Sequence, residues 1–181
     1  MTPHSGHVFW LFGLSGAGKS TLADGLAASL RVAGTPVLAL DGDTLRAGLC
    51  RGLGFSDADR AENLRRAAEA AKLGAASGLC VVASFITPQN ANRSAVTAIV
   101  GPAHLSLVYV DAPLEVCRRR DVKGLYARAT AGQVAQMTGL SSAFEPPPSA
   151  DLVIPTDRED IAASSARLLE FARARLRAAP G

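Results

Sequence analysis

The sequence predicts an α/β fold, a five-stranded parallel sheet flanked by helices, in one domain spanning residues 1–181. Three observations carry that reading. Short apolar runs alternate with longer helical stretches about five times along the chain. The runs are apolar throughout instead of alternating, as strands covered on both faces are. The first run leads into a glycine-rich turn that opens a helix, the signature of a doubly wound sheet.

Taken in order, Val8–Phe12 (VFWLF) reads as the first strand and Lys19–Ala33 as the first helix. Val37–Leu40 (VLAL) is the second strand. Asp57–Ser77 follows as a helix, with Ser56 placed to cap its first turn. Leu79–Ser84 (LCVVAS) is the third strand, and Pro88–Val100 a helix with proline at its first position. Leu105–Val110 (LSLVYV) is the fourth strand, followed by a helix over Leu114–Arg120. The rhythm then breaks. Residues 121–148 hold much Gly, Ala and Thr and end in Pro146-Pro147-Pro148, the pattern of a functional lid or an insert. Lys123 within the segment favours the lid. Leu152–Ile154 closes the sheet, and Asp157–Ala178 is the last helix, with Thr156 and Glu159 as a capping box.

Composition bounds the function. With 48% hydrophobic residues, 19% charged and a mean hydropathy of +0.17, the chain has ample apolar material for a core, which excludes disorder. The net charge of +3 is small and its arginines are interleaved with acids, so no nucleic-acid partner is expected. Cys50, Cys80 and Cys117 are widely separated, which suggests neither a disulfide framework nor a zinc site and fits a reducing, cytoplasmic setting. His4, His7 and His104 are scattered and no metal ligand is expected among them. The longest apolar stretch, around Val8–Leu14, is far below the ~20 residues that span a bilayer. No basic start with a long apolar core marks a signal peptide, so no membrane partner is expected. Among the cations only Lys19, Lys72 and Lys123 are lysines, against many arginines. Arginine-favouring codons would explain the bias, and the scarcity makes each remaining lysine worth asking about.

The strongest motif is Gly13-Leu14-Ser15-Gly16-Ala17-Gly18-Lys19-Ser20, which fits G-x-x-x-x-G-K-[ST] between a strand and a helix. Such a loop turns its backbone N–H groups around a phosphate chain. The helix N-terminus adds positive potential, Lys19 reaches the β- and γ-phosphates, and the Ser20 hydroxyl suits Mg²⁺. The fold is therefore P-loop NTPase-type, with a bound nucleoside triphosphate. Asp41-Gly42-Asp43 lies beyond the carboxyl end of the second strand, where open α/β sheets bind ligands. Asp43 there can orient Mg²⁺ or accept a proton, or the acid caps a helix. Arg60, Asn63 and Arg66 share a helix face, suited to phosphate, sulfate and a base or sugar edge. Phe55 just before them can stack on a nucleobase. The plainer alternative is a solvated helix with Glu62 and Arg66 paired four residues apart.

These blocks resemble the adenylylsulfate (APS) kinase family. The likeness rests on GLSGAGKST at Gly13–Thr21, DGDxxR at Asp41–Arg46 and LGFSxxDRxENxRR at Leu53–Arg66. It continues through SFI-x-P at Ser84–Pro88, VDxPLEVCxxRDxKGLY at Val110–Tyr126, AxxG at Ala129–Gly132, Thr138-Gly139 and Glu145-Pro146. The resemblance implies transfer of the γ-phosphoryl of MgATP to the 3′-hydroxyl of adenosine 5′-phosphosulfate by a cytoplasmic, dimeric enzyme. It also implies the roles. Residues Gly13 to Thr21 hold ATP and Mg²⁺, with Arg120 at its adenine; Ser20 and Asp43 hold the metal, and Lys19, Asp43 and Lys123 are catalytic. Asp41, Asp43, Arg46, Phe55, Arg60, Asn63, Ile86 and Thr87 take the acceptor, with Lys123, Gly124, Leu125 and Met137 from the lid.

Three departures stand against the family pattern. Thr87 replaces a serine discussed as a phosphoenzyme site and is read here as a pocket residue. Gln89-Asn90 replaces an aromatic or His plus Arg, leaving Arg93. Met137 replaces a phenylalanine that closes the adenine clamp; stacking is worth ~1–3 kcal/mol per base, so binding of the acceptor is expected to weaken roughly ten- to hundredfold. Phe144 lies close in sequence as a candidate substitute. Two other readings remain open at this level: a kinase of this fold for another adenylyl or small hydroxyl substrate, and a non-catalytic nucleotide-binding module.

Overall fold

A computed structural model describes residues 6–122, 124–131, 138–139 and 142–178. The five strands are β1 (Val8–Phe12), β2 (Val37–Asp41), β3 (Cys80–Phe85), β4 (Leu105–Asp111) and β5 (Leu152–Pro155). They form one parallel sheet in the order β2-β3-β1-β4-β5. Seven helices surround it among the described residues: α1 (Lys19–Val32), α2 (Gly42–Ala47), α3 (Asp57–Ala76), α4 (Asn90–Val100), α5 (Leu114–Arg120), α6 (Leu125–Thr130) and α7 (Ile161–Ala178).

The central strand shows why the apolar runs are continuous. Side chains of a strand alternate between faces, so β1 feeds two cores at once. Phe9 and Leu11 pack with Leu22, Leu26 and Leu30 of α1 and Leu168 of α7. Val8, Trp10 and Phe12 pack on the opposite face with Leu64, Ala67 and Ala71 of α3 and Val96 of α4. All five β1 side chains are fully buried. The alanines of α3 let that helix lie close to the sheet.

Element starts show where local signals hold and where they fail. Ser56 caps α3 as expected, its hydroxyl accepting from the Asp59 N–H at 3.1 Å. Pro88 does not begin α4. That helix starts at Asn90, whose N–H donates to the Glu145 carboxylate, so its cap comes from 55 residues away. The expected capping box at Thr156 and Glu159 is absent as well. Helix α7 starts at Ile161, and the Asp160 carboxylate accepts from the Ala163 N–H at 2.7 Å. Helix α2 follows the acidic cap that was one reading of Asp41-Gly42-Asp43, while the short helix α6 was not expected. Helix α6 lies within residues 121–148, where an isolated bridge also pairs Thr138 with Ser142.

His7 is buried in β1's approach with Nε2 2.9 Å from the Ser106 hydroxyl. Burial, then the charges of Arg175 and His104, lower its pKa from 6.5 to about 4. Between those values the unfolded chain binds a proton that the folded chain refuses, so stability rises with pH. The melting temperature is therefore expected to fall as pH drops from about 6.5 to about 4. Melting curves across that window should show the fall blunted in His7→Gln.

Candidate active site

The strand order reverses at β1: β3 and β2 lie on one side, β4 and β5 on the other. Ligands of open α/β sheets bind at such a switch point, beyond the carboxyl ends of the strands. A cavity of about 500 Å³ opens there. Its walls come from the β1–α1 turn, α2, the start of α3, the segment after β3, α5 and α6, and the start of α7.

The β1–α1 turn is held from outside by its carbonyls. Lys19 Nζ donates to Leu14 O at 2.7 Å, Tyr126 Oη to Ser15 O at 2.9 Å, Arg120 Nη1 to Gly16 O at 3.3 Å, and Thr156 Oγ1 to Ala17 O at 2.8 Å. Four consecutive carbonyls are engaged this way, which fixes the course of the loop, and the Ala17 N–H closes it on Leu14 O at 3.2 Å. Gly16 and Gly18 sit at φ +80° and +102°, conformations that L side chains avoid. Gly18 is the N-cap of α1, so the positive end of that helix faces the same space. Ser15 to Thr21 all line the cavity, and Lys19 is only 8% exposed.

Across from the loop, Asp41 closes β2 and caps α2, its carboxylate accepting from the N–H groups of Asp43 and Thr44. The cap thus belongs to Asp41, and Asp43 occupies the first turn of the helix. The Ser20 hydroxyl donates to Asp41 Oδ2 at 3.4 Å. Ser84, the register partner of Asp41 on β3, has a buried hydroxyl without a hydrogen-bond partner among the described residues. A hydroxyl, two carboxylates and a second buried hydroxyl form an oxygen donor set suited to Mg²⁺, which keeps several waters and takes one or two carboxylates.

The far half of the cavity gathers the second group of expected residues. Arg46 donates to the carbonyls of Leu53 and Gly54 at 3.3 and 2.9 Å, and its guanidinium lies 4.4 Å from the Phe55 ring centroid. Arg60 donates to Phe55 O at 2.8 Å and to Thr138 Oγ1 at 2.9 Å. Burial and the nearby Arg46 pull its pKa below the ordinary value. Phe55 itself is 56% exposed, with a guanidinium on its face. Asn63 is 5% exposed and its Oδ1 has no hydrogen-bond partner among the described residues, a costly state that a ligand donor would relieve. Ile86, Thr87 and Pro88 form the wall beside them. Arg66 leaves this group. It pairs with Glu62 at 2.8 Å, and that carboxylate also takes Arg65.

The cavity thus unites Lys19, Ser20, Asp41, Asp43, Arg46, Phe55, Arg60, Asn63, Ile86, Thr87, Arg120 and Leu125. Gly124 is the N-cap of α6, next to Leu125. Lys123 and Met137 lie outside the described residues. Phe144 lies elsewhere: it stacks on Tyr109 at 6.0 Å and faces Arg93. Tyr126, Thr156 and Ser84 were missed as contributors, because their parts depend on carbonyls and strands distant in sequence. The three cysteines are free and buried, as expected of small core residues.

The family model for "Adenylylsulphate kinase" matches residues 5–155. The chain belongs to the adenylylsulphate kinase family. The adenylyl-sulfate kinase of Paraburkholderia xenovorans is 50% identical over 169 residues, covering 93% of this chain and 94% of that protein. The adenylyl-sulfate kinase of Shewanella amazonensis is 49% identical over 168 residues, 93% of this chain and 85% of that one. The Mycobacterium tuberculosis APS kinase CysC, solved in complex with AMPPNP and APS, superposes with a TM-score of 0.90 at 39% identity. That match covers 94% of this chain and 99% of the other. The expectations of a P-loop α/β fold and of an ATP-dependent kinase of this family agree with these findings. No helix among the described residues is long and apolar enough to cross a membrane.

Proposed function

We propose that the chain transfers the γ-phosphoryl of MgATP to the 3′-hydroxyl of adenosine 5′-phosphosulfate, giving 3′-phosphoadenylyl sulfate and ADP. The observation that carries this reading is the shared cavity. A phosphate loop lies at one end, and Arg46, Arg60, Phe55 and Asn63, whose Oδ1 has no partner among the described residues, at the other. ATP enters with its β- and γ-phosphates against the Ser15–Thr21 backbone and Lys19, and with Arg120 at the adenine end. The acceptor's phosphosulfate meets Arg46 and Arg60, its sugar meets Asn63, and Phe55 stacks its base.

In the transfer the 3′-oxygen forms a bond to the γ-phosphorus while the bond to the β–γ bridging oxygen breaks. The hydroxyl proton passes to Asp43, and the bridging oxygen leaves on ADP. Such a loose, anionic transition state needs fixed cations more than a strong base. Lys19 supplies one, and Lys123 is proposed as the second. Ser20, Asp41 and Asp43 would hold Mg²⁺, which would supply neutralisation of the phosphate charge.

Coupled ADP release with ATP, Mg²⁺ and adenosine 5′-phosphosulfate tests the reading. Turnover that depends on the sulfated acceptor is expected. Tight nucleotide binding without such turnover overturns it in favour of another acceptor or a non-catalytic module. The clamp reading has its own check. Met137→Phe is expected to tighten acceptor binding roughly tenfold, a gain of about one base-stacking contact, measured by calorimetry with a non-hydrolysable ATP analogue present. Unchanged or weaker binding refutes it. A single-domain, cytoplasmic homodimer completes the proposal, supported by the resemblance and by the free, buried cysteines; light scattering at micromolar concentration tests the assembly.

A further inference from the structure

Arg93 is 4% exposed, yet it does not line the cavity. Its guanidinium lies between aromatic faces, 5.1 Å from the Phe12 ring and 5.8 Å from Phe144. Nη1 donates to Thr87 O at 2.7 Å; Nη2 donates to Glu145 O at 2.7 Å and to Asn90 Oδ1. A buried charge is costly unless its donors are met, and here two of those acceptors are backbone carbonyls. A core residue with no further task at this place could be apolar.

What the guanidinium holds is unusual. Thr87 is a β-branched residue at φ +44°, a conformation such residues adopt only when their surroundings impose it. Thr87 is 1% exposed, and its hydroxyl accepts from Trp10 Nε1 at 2.9 Å. Its carbonyl accepts from Arg93. On either side, Ile86 O accepts from the Gly13 N–H at 3.2 Å and Pro88 O from the Glu145 N–H at 2.9 Å. The strained wall is therefore fastened to the phosphate loop at one end and to Glu145 at the other. Its middle residue is gripped by Trp10 and Arg93.

We propose that Arg93 is a positioning residue for the acceptor: with Trp10 it holds Thr87 in its left-handed conformation and so sets the Ile86–Pro88 wall against which the acceptor nucleotide packs. This rests on reading that half of the cavity as the acceptor site. A planar fork reaches several acceptors at once, which a lysine ammonium cannot do from the same place.

The chain holds one tryptophan, so the indole N–H that touches Thr87 gives its own signal in a nitrogen-15 spectrum. In Arg93→Lys that indole proton is expected to exchange with solvent about tenfold faster, as a locally opened contact does. KM for adenosine 5′-phosphosulfate should rise about tenfold while affinity for a non-hydrolysable ATP analogue stays within about twofold. Trp10→Phe keeps an aromatic ring on Phe85 but removes the N–H, and should raise the same KM by about threefold. It keeps the proposal falsifiable should Arg93→Lys not fold. Indole exchange unchanged in Arg93→Lys, KM unchanged in Trp10→Phe, or ATP-analogue affinity falling as far as acceptor affinity each overturns the proposal. A wild-type protein that does not turn over the sulfated acceptor sinks the acceptor reading instead, and the exchange comparison still decides whether Arg93 holds Thr87.

Discussion

Lys19→Ala is expected to lower kcat/KM by about 10³ or more, the scale of losing a cation placed on a transferring phosphoryl group. Lys19 is buried at the head of α1, and its ammonium is presented to the cavity from the Leu14 carbonyl at 2.7 Å. A phosphate oxygen arriving there meets a charge already desolvated and already aimed. Replacing it removes transition-state stabilisation without opening the core, so the melting temperature should move by only a few degrees, roughly the effect of 1 kcal/mol in a chain of this size. Lys19→Arg should fail to restore activity, because a broad guanidinium does not fit a slot shaped around a compact ammonium. Steady-state ADP release, with calorimetry for nucleotide affinity, checks both variants. A loss of only twofold in Lys19→Ala would show that the lysine merely braces the loop.

Gly13→Ala is expected to damage both stability and nucleotide binding. A Cβ built on Gly13 would sit 2.3 Å from the Val110 carbonyl oxygen of β4, at a backbone φ of +150°. Two main chains meet there, and neither can yield as a flexible side chain would. The cost is expected to be about 3 kcal/mol or more, which lowers the melting temperature by roughly 6–12 °C. Gly52 makes a useful control. Its φ of +91° is also left-handed, but a Cβ there meets nothing within 4 Å. Gly52→Ala should therefore cost only about 1 kcal/mol of backbone strain. Thermal melts of the two variants, with titration of an ATP analogue, separate close approach from conformational strain. Equal losses would show that clash with β4 is not the cause.

Much of the site was legible because its signals are local. The phosphate loop is a contiguous motif whose glycines, lysine and serine have spacing-dependent tasks, and all seven residues from Ser15 to Thr21 reach the cavity. Arg60 and Asn63 were legible through helical spacing, three residues apart on one face of α3. Arg66 shares that spacing but turns to Glu62, a choice that spacing alone leaves open. Phe144 was the opposite case. Nearness in sequence to Met137 suggested a second adenine clamp, while packing carries it to Tyr109 and Arg93.

By itself the sequence determined the five strands, the parallel sheet, the phosphate loop and the two halves of a transfer site, because period, turn chemistry and contiguous motifs are properties of neighbouring residues. Only the tertiary structure decided that Thr156 braces the phosphate loop instead of capping α7. It also decided that α4 takes its cap from Glu145, and that Arg93 and Trp10 grip Thr87. Each of these is a hydrogen bond to a backbone group or a lone hydroxyl. Most span dozens of residues, and Thr87 and Arg93 meet across a turn whose strain no spacing reveals. A carbonyl is the same in every residue, so its choice of donor leaves no mark in the sequence and is settled only when the sheet brings distant segments together.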